Sequence, residues 1–548
     1  DVWFEKKIEA SQDGIKKTLQ EVTMNQALEK LNQSHSKHLW QTIGLRHHHG
    51  VNVPIFSLRT KKSGGIGEYL DLLPLVDFCV SVGFDVIQTL PLNDTADDPS
   101  PYNAISAFAL NPLFISLHAL EKIEQTAALQ KLKELNRAQR VDYTQVRRLK
   151  KEILKDYFAK HFESIESSEL FKQFESSRFW LQGYALFKVL KEHYNGVSWE
   201  DWPVEVKNFS EQAYKAFLIT YKKEINYHKF IQFVCHQQLS QAKQYAESQG
   251  VFLKGDIPIL LNRDSADVWL HRNLFNLDYS AGAPPDQYSA SGQNWGFPLY
   301  DWQEMEEQNF SWWRWRLWNA AHYFHLYRID HIVGFFRIWA IARKKNAKSG
   351  FFIPENSEEW IPTGEKILKM MLETCFLLPI GEDLGTVPTE VRKTMADLGI
   401  CGTKVMRWER YWEEGGAFIP LDKYPQESMT TVSTHDSETL LGWWQEQEKE
   451  AKAFCKEKGW TYSKELSHEK YAEIIRASHH TSSLFHINLI GEYLAAFPDL
   501  SWASSKEERI NIPGTTGKQN WSYRIRPTLE EISKHEGLAH LIYSCIKK

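Results

Sequence analysis

Cysteine is scarce in this 548-residue sequence, and nothing pairs what there is. Cys79, Cys235, Cys375, Cys401, Cys455 and Cys545 stand far apart with no CxxC spacing. That excludes a zinc ribbon, suggests no disulfide framework, and fits reduced thiols in a cytosolic protein. Long apolar runs are missing too. The most apolar stretch, 107–120, is broken by Asn111, Pro112 and His118, so no transmembrane helix is expected. There is no excess of one charge: 65 Lys plus Arg stand against 70 Asp plus Glu. A balance so close to neutral offers no global field for nucleic acid or an anionic membrane. The first residues, Asp1 to Lys7, lack the apolar core of a signal peptide, so a cytoplasmic location is expected. No internal repeat and no Gly/Ser-rich or Pro-rich linker cuts the chain into independent units.

Aromatic residues are plentiful, with 21 Trp, 22 Tyr and 30 Phe. They serve cores in general, and flat aromatic faces also stack on sugar rings, so composition alone does not choose. Trp312, Trp315 and Trp318 step at helical spacing and predict a core-facing stripe. The first 45 or so residues read as a helical extension carrying Ile15, Leu19, Val22, Leu28 and Leu31. Short β-branched runs follow at 51–58 and 84–92, with a helix predicted between them from Tyr69 to Ser81. From about 119 to 249 the pattern is strongly helical and rich in Lys and Glu, which predicts an all-α insertion. Apolar strands then recur at 250–261, 325–330, 376–382, 402–408 and 429–435, with a weaker eighth at 484–489. Eight βα units predict an α/β fold, a (β/α)8 TIM barrel spanning 46–548, with its active site at the C-terminal ends of the strands. A doubly wound open sheet competes, but no Gly-rich dinucleotide turn follows any strand.

Three of these strands end in acid: Asp330 after His325–Ile329, Glu382 and Asp383 after Leu377–Gly381, and Asp436 after Thr431–His435. Carboxylates at a barrel mouth can have their pKa values pushed apart by burial and by one another. That is what glycoside chemistry needs, with one ionised group as nucleophile and one protonated group as acid. A strand-end Asp can also simply cap the next helix. Three on separate strands, two of them beside His or Arg, favour chemistry. Asp383, next to Glu382, faces the other way on a strand and is expected to be a structural hydrogen-bonder.

The motifs then resemble a known family along about 450 residues. They begin with Ser100-Pro101-Tyr102, Asn111-Pro112-Leu113 and Tyr184-Ala185-Leu186-Phe187, followed by Gly255-Asp256-Ile257-Pro258-Ile259 and Asp264-Ser265-Ala266-Asp267-Val268-Trp269. Pro284-Pro285-Asp286, Gly292-Gln293-Asn294-Trp295-Gly296, Arg328-Ile329-Asp330-His331, Gly381-Glu382-Asp383-Leu384-Gly385 and His435-Asp436 complete the order. The sequence resembles the 4-α-glucanotransferases of the amylomaltase, or disproportionating enzyme, family. Details such as 90–95 and 334–339 look closest to the plant cytosolic branch. The resemblance implies a retaining transfer of α-1,4-linked glucosyl or glucanosyl units from maltose or malto-oligosaccharides to the 4-hydroxyl of a glucan acceptor such as glycogen, without cofactor or metal. It implies Asp330 as nucleophile, Glu382 as acid/base and Asp436 as a third carboxylate holding sugar hydroxyls. Arg328 would keep Asp330 ionised, and His331, His435, Tyr102, Asp264 and Trp295 would contact substrate. The loop 273–302, with Tyr279, Tyr288, Trp295 and Phe297, would cover the groove. Where the family has a Gln-Asp pair after the eighth strand, this chain has Gly491-Glu492, which leaves that strand's boundary open.

Two rivals remain at this level: an α-glucan hydrolase using the same three carboxylates, and a non-catalytic glucan-binding protein. His47-His48-His49 invites a metal reading, but consecutive residues cannot all face one ion in regular structure, so a loop with packed histidines is expected.

Overall fold

The computed structural model describes residues 27–285 and 290–547. Eight parallel strands form its centre: β1 (His48–Asn52), β2 (Val86–Gln88), β3 (Phe252–Ile257), β4 (Leu326–Ile329), β5 (Leu378–Gly381), β6 (Gly402–Val405), β7 (Ser428–Thr431) and β8 (Phe485–Leu489). Each pairs in parallel with the next, β8 returns to β1, and an Ile380–Cys401 bridge joins β5 to β6. This is the expected (β/α)8 barrel. Its strands are short and buried on both faces, as a parallel sheet jacketed by helices requires. All of β2, β5, β7 and β8 is buried.

Between β2 and β3 the chain makes a series of helices, the longest being Tyr143–Ser167 and Lys222–Ser248. Buried ion pairs fasten them to the barrel. Lys150 reaches Glu68 at 2.6 Å and the carbonyls of Leu113 and Ile115 at 2.7 and 2.8 Å. Lys188 and the Tyr184 hydroxyl both donate to Asp94, at 2.9 and 2.6 Å. Asp94 lies in the loop after β2, so the helical layer fixes the loop that carries Tyr102. Charges this deep persist only when paired and hydrogen-bonded, and removing one partner is costly.

Of the expected 1–45 extension, residues 1–26 lie outside the described ones. The remainder includes the helix Lys37–Ile43, whose Trp40 is buried and donates to the Gly399 carbonyl at 2.9 Å.

Two local readings differ from expectation, and one left open is settled. The first strand starts at His48, so the histidine run is mostly strand and not loop. His48 bonds Asp85 at 2.8 Å, and the His49 ring stacks on His486, its register partner on β8, at 4.9 Å. Among the described residues no group of His, Cys, Asp or Glu could hold a metal ion. Second, only Trp312 of the expected tryptophan stripe is core. It is buried with Trp313, while Trp315 and Trp318 are exposed by 38% and 47%. Steps of three residues drift about 60° around a 3.6-residue helix, so 312 and 318 cannot share a face. The boundary left open is that of β8, which ends at Leu489 as the 484–489 reading had it, and Glu492 sits in the next helical turn, fully buried. Ser433, the Leu440 amide and the Tyr471 hydroxyl donate to it, the last two at 3.0 and 2.8 Å. The departure from the family pattern is thus a structural anchor beneath the loop after β7.

Candidate active site

Asp256 on β3 and Arg328 on β4 are direct register partners. Side chains alternate along a strand, so both point into the barrel, and Arg328 Nη1 lies 3.1 and 3.0 Å from the two Asp256 oxygens. The Tyr102 hydroxyl donates to Asp256 at 2.7 Å and accepts from Arg328 at 3.4 Å. One layer higher, Asp330 follows β4 and Glu382 follows β5. Arg328 serves both: Nη1 is 2.8 Å from Asp330, and Nη2 is 3.7 Å from Glu382. Its side chain is only 12% exposed, so the guanidinium acts with little screening by water.

The backbone turns sharply here. His331 has φ +52° and ψ +54°, a left-handed conformation costly for a non-glycine residue. That turn aims the His331 amide at Glu382 Oε2 (3.0 Å), while the Leu384 amide binds Oε1 at 2.9 Å. Burial still pushes the Glu382 carboxyl up to about 7; Arg328 opposes the rise and the charge of Asp330 adds to it.

Asp436, in the loop after β7, is different. Its side chain is 47% exposed at the mouth and pairs with His435 Nε2 at 3.3 Å. Asn511 donates to it at 2.7 Å. Its partial desolvation at the mouth would raise this carboxyl, but His435 and Asn511 outweigh that and hold the group well below the usual carboxylate range. The partner responds in the opposite sense: burial would lower the His435 imidazole, and Asp436 raises it. His435 stacks on Tyr102 at 5.2 Å, and Trp521 packs against both rings. Tyr102 thereby links the carboxylate after β7 to the one on β3 and, through Arg328, to those after β4 and β5.

Loops after β3 and β4 form a small antiparallel sheet of Gln293–Asn294, Tyr279–Ala283, Ile338–Ala342 and Phe351–Ile353. It carries Trp295, whose ring meets His331 edge-on at 5.0 Å. Tyr288 lies outside the described residues. Asp264, expected at the groove, is engaged elsewhere: Lys191 binds it at 2.6 Å and the Trp199 amide at 3.1 Å, tying the helical insertion to the loop after β3. Asp383 is buried in a slot kept open by Gly402, where a Cβ would come within 2.8 Å of its carboxylate. It accepts from Arg392 and the Thr403 amide at 2.9 and 2.7 Å.

Sequence reasoning gave Asp256 no role, although an acid inside an apolar strand, two residues after a lysine, was a signal. That lysine, Lys254, lies fully buried in the barrel, 2.9 Å from the Gln88 side-chain oxygen and 3.0 Å from the Met429 sulfur. Burial pushes it down to about 7.

A closed parallel barrel with three carboxylates at its C-terminal mouth, one raised and one depressed, defines a barrel enzyme of glycosidic bonds. The 4-alpha-glucanotransferase family model matches residues 53–530, and the chain belongs to that family. It is 45% identical to a 4-alpha-glucanotransferase of Chlamydia pneumoniae over 512 residues, covering 92% of this chain and 96% of that one. A 4-alpha-glucanotransferase of Oryza sativa is 40% identical over 308 residues, 53% of this chain and 32% of the plant protein. The structure of a Streptococcus agalactiae amylomaltase in complex with acarbose superposes with a TM-score of 0.78 at 26% identity, over 91% of this chain and 98% of that one. No described helix is long and apolar enough to cross a membrane.

Proposed function

We propose that this 4-α-glucanotransferase works by double displacement on maltose and malto-oligosaccharides, with oligosaccharides or glycogen as acceptors. Asp330 attacks the anomeric carbon of the donor sugar, and the bond to the leaving 4-oxygen breaks as Glu382 gives that oxygen its proton. The glycosyl group is then an ester of Asp330. In the second half an acceptor 4-hydroxyl attacks the same carbon, the ester bond breaks, and the acceptor's proton passes to Glu382. Two inversions give net retention.

One observation carries this reading: a single guanidinium, Arg328, contacts Asp330 at 2.8 Å and Glu382 at 3.7 Å. It holds Asp330 in position for attack, while burial keeps Glu382 able to hold a proton near neutrality. Asp436 stays ionised and accepts sugar hydroxyls as the ring distorts. His331, His435, Tyr102 and Trp295 line the donor side. The helices of 119–249 support reading that stretch as an insertion within a catalytic unit spanning 46–548. Six free cysteines support a reducing, cytoplasmic location.

Incubation with maltotriose, followed by chromatography of all products, tests the proposal. Transfer gives glucose together with a ladder of chains longer than the donor. Glucose and maltose alone, with no longer product, would make water the acceptor and overturn it.

A further inference from the structure

On the outer flank of the barrel, the helix Ser311–Ala321 turns Trp312 and Trp313 inward and Trp315 and Trp318 outward. With Phe179 the two outward rings form a contiguous exposed aromatic patch, the kind of surface that marks an interaction site. Trp318 is also fixed in place, since its indole N–H donates to the Thr374 carbonyl at 2.8 Å. Arg314 braces the same residue through the Thr374 hydroxyl at 3.1 Å. Phe179, nearly half exposed, packs against Trp315 with ring centroids 4.2 Å apart. It meets Phe108 edge-on at 5.2 Å.

Phe179 and Phe108 also line a cavity of about 370 Å3, together with Trp180, Phe209, Tyr214 and His271. This volume falls at the lower end of the range typical of small-molecule sites. Exposed aromatic rings therefore lie from Trp318 and Trp315, three residues apart on one helix, to Phe179 and the recess it lines. Tyr102, Asp256, Arg328, Asp330, Glu382, His435 and Asp436 take no part in the lining.

Polar groups in the recess bear on what it holds. Asp267 forms a fixed wall, its oxygens already taken by the Trp312 indole and the Ala107 amide at 3.1 and 2.9 Å. The Tyr214 hydroxyl and the His271 ring also line the recess, His271 in electrostatic contact with Asp267. Trp180 keeps a buried indole N–H without a partner. An apolar protein segment laid here would desolvate the Tyr214 and His271 groups, at a cost. A pyranose ring satisfies both demands, with C–H faces for the aromatics and a rim of hydroxyls for the polar groups. The outer wall can yield to admit it, because no residue of the helix Glu211–Thr220 is buried.

We infer that Trp318, Trp315, Phe179 and the recess behind them form a second α-glucan site, which holds a polymeric chain away from the catalytic carboxylates. The inference rests on the proposed glucan-transferring function, and its occupant is the same repeating α-1,4-linked glucose. A polymer anchored there presents its free ends to the barrel mouth at raised local concentration. Maltose and maltotriose gain nothing from it.

Affinity electrophoresis of the full chain in gels containing glycogen tests this, with maltotriose kinetics measured alongside. Trp318→Ala, Trp315→Ala and His271→Ala should each weaken retention by glycogen, the tryptophan variants by about fivefold or more, the scale of one lost aromatic contact. Their kcat/KM for maltotriose should stay within about twofold of wild type, and Trp318→Phe should restore most of the retention. If all three variants are retained like wild type, the site does not bind glucan. If Trp318→Ala instead turns a wild-type dimer into monomers with retention unchanged, the patch faces a second copy and the inference fails. A wild-type enzyme that leaves maltotriose untouched would defeat the functional proposal itself, a result distinct from either of these.

Discussion

The backbone amide of His331 donates to Glu382 Oε2 at 3.0 Å, and it can do so because His331 adopts φ +52°. The residue after the proposed nucleophile thus orients the proposed acid, and the two reacting groups share one turn of backbone. Replacing His331 with Gly, which takes this conformation without strain, should leave the orientation intact. It also removes the imidazole from beneath Trp295. The expected result is a raised KM for maltotriose with kcat reduced less than about tenfold; steady-state kinetics decide it.

Acid strength supplies a second prediction. The Glu382 carboxyl is raised from 4.5 to about 7 by burial first and by Asp330 as well. In the first chemical step it must be protonated, so the rate of glycosylation should fall as pH rises through about 7. Removing the neighbouring charge in Asp330→Asn should move the Glu382 titration to lower pH, which infrared difference spectroscopy of the carboxyl band reads directly.

The same shift has a stability consequence. A carboxyl whose folded pKa lies above its unfolded value contributes stability that is complete below the unfolded pKa and is lost as pH rises through the folded one. For Glu382 that window runs from 4.5 to about 7. Glu382→Gln, which cannot ionise, should therefore gain stability over wild type by an amount that grows between about pH 5 and about pH 8, on the order of 1–3 kcal/mol. Melting curves at the two pH values check it; a gap that narrows with pH would contradict the assignment.

Asp264 separates a structural role from a substrate contact. Bound to Lys191 and to the Trp199 amide, it should act through the insertion. Asp264→Ala is expected to lower stability by about 1–2 kcal/mol, as for loss of a half-buried, hydrogen-bonded ion pair. Its kcat/KM for maltotriose should remain near wild type. A large rise in KM at unchanged melting temperature would restore the reading drawn from the motif.

The barrel was legible because its eight strands are short apolar runs, and the three proposed catalytic carboxylates sit at or shortly after the ends of three of them. The tryptophan stripe misled because one step of three residues is close to a helical turn, whereas two such steps are not. Asp256 escaped notice because its importance lies in pairing with Arg328 across strands separated by some 70 residues of sequence, which spacing along the chain does not reveal. The histidine run misled for a related reason: its partners, His479 and His486, come from the far end of the chain and meet β1 only when the barrel closes. Glu492 broke a family pattern, and only the fold shows that it anchors Ser433 and Leu440.

Trp295 is the residue through which transfer would win over hydrolysis. Its ring stands against His331 beside the proposed glycosyl-enzyme, where it can exclude water and give the incoming sugar an apolar face. Trp295→Ala should raise the ratio of hydrolysis to transfer by about threefold or more, the scale of one lost aromatic contact, beyond slowing both. Free reducing ends counted against transfer products give the ratio, and an unchanged ratio would reduce Trp295 to packing.

The central claim is a covalent glycosyl group on Asp330. Glu382→Gln, which slows the second step, should accumulate that ester when mixed with an activated donor such as an α-maltosyl fluoride, whose leaving group needs no proton from an acid. Mass spectrometry of the quenched, digested protein should then find one maltosyl unit on the peptide containing Asp330. A label on another residue, or no label together with a first product of inverted anomeric configuration, would contradict the account.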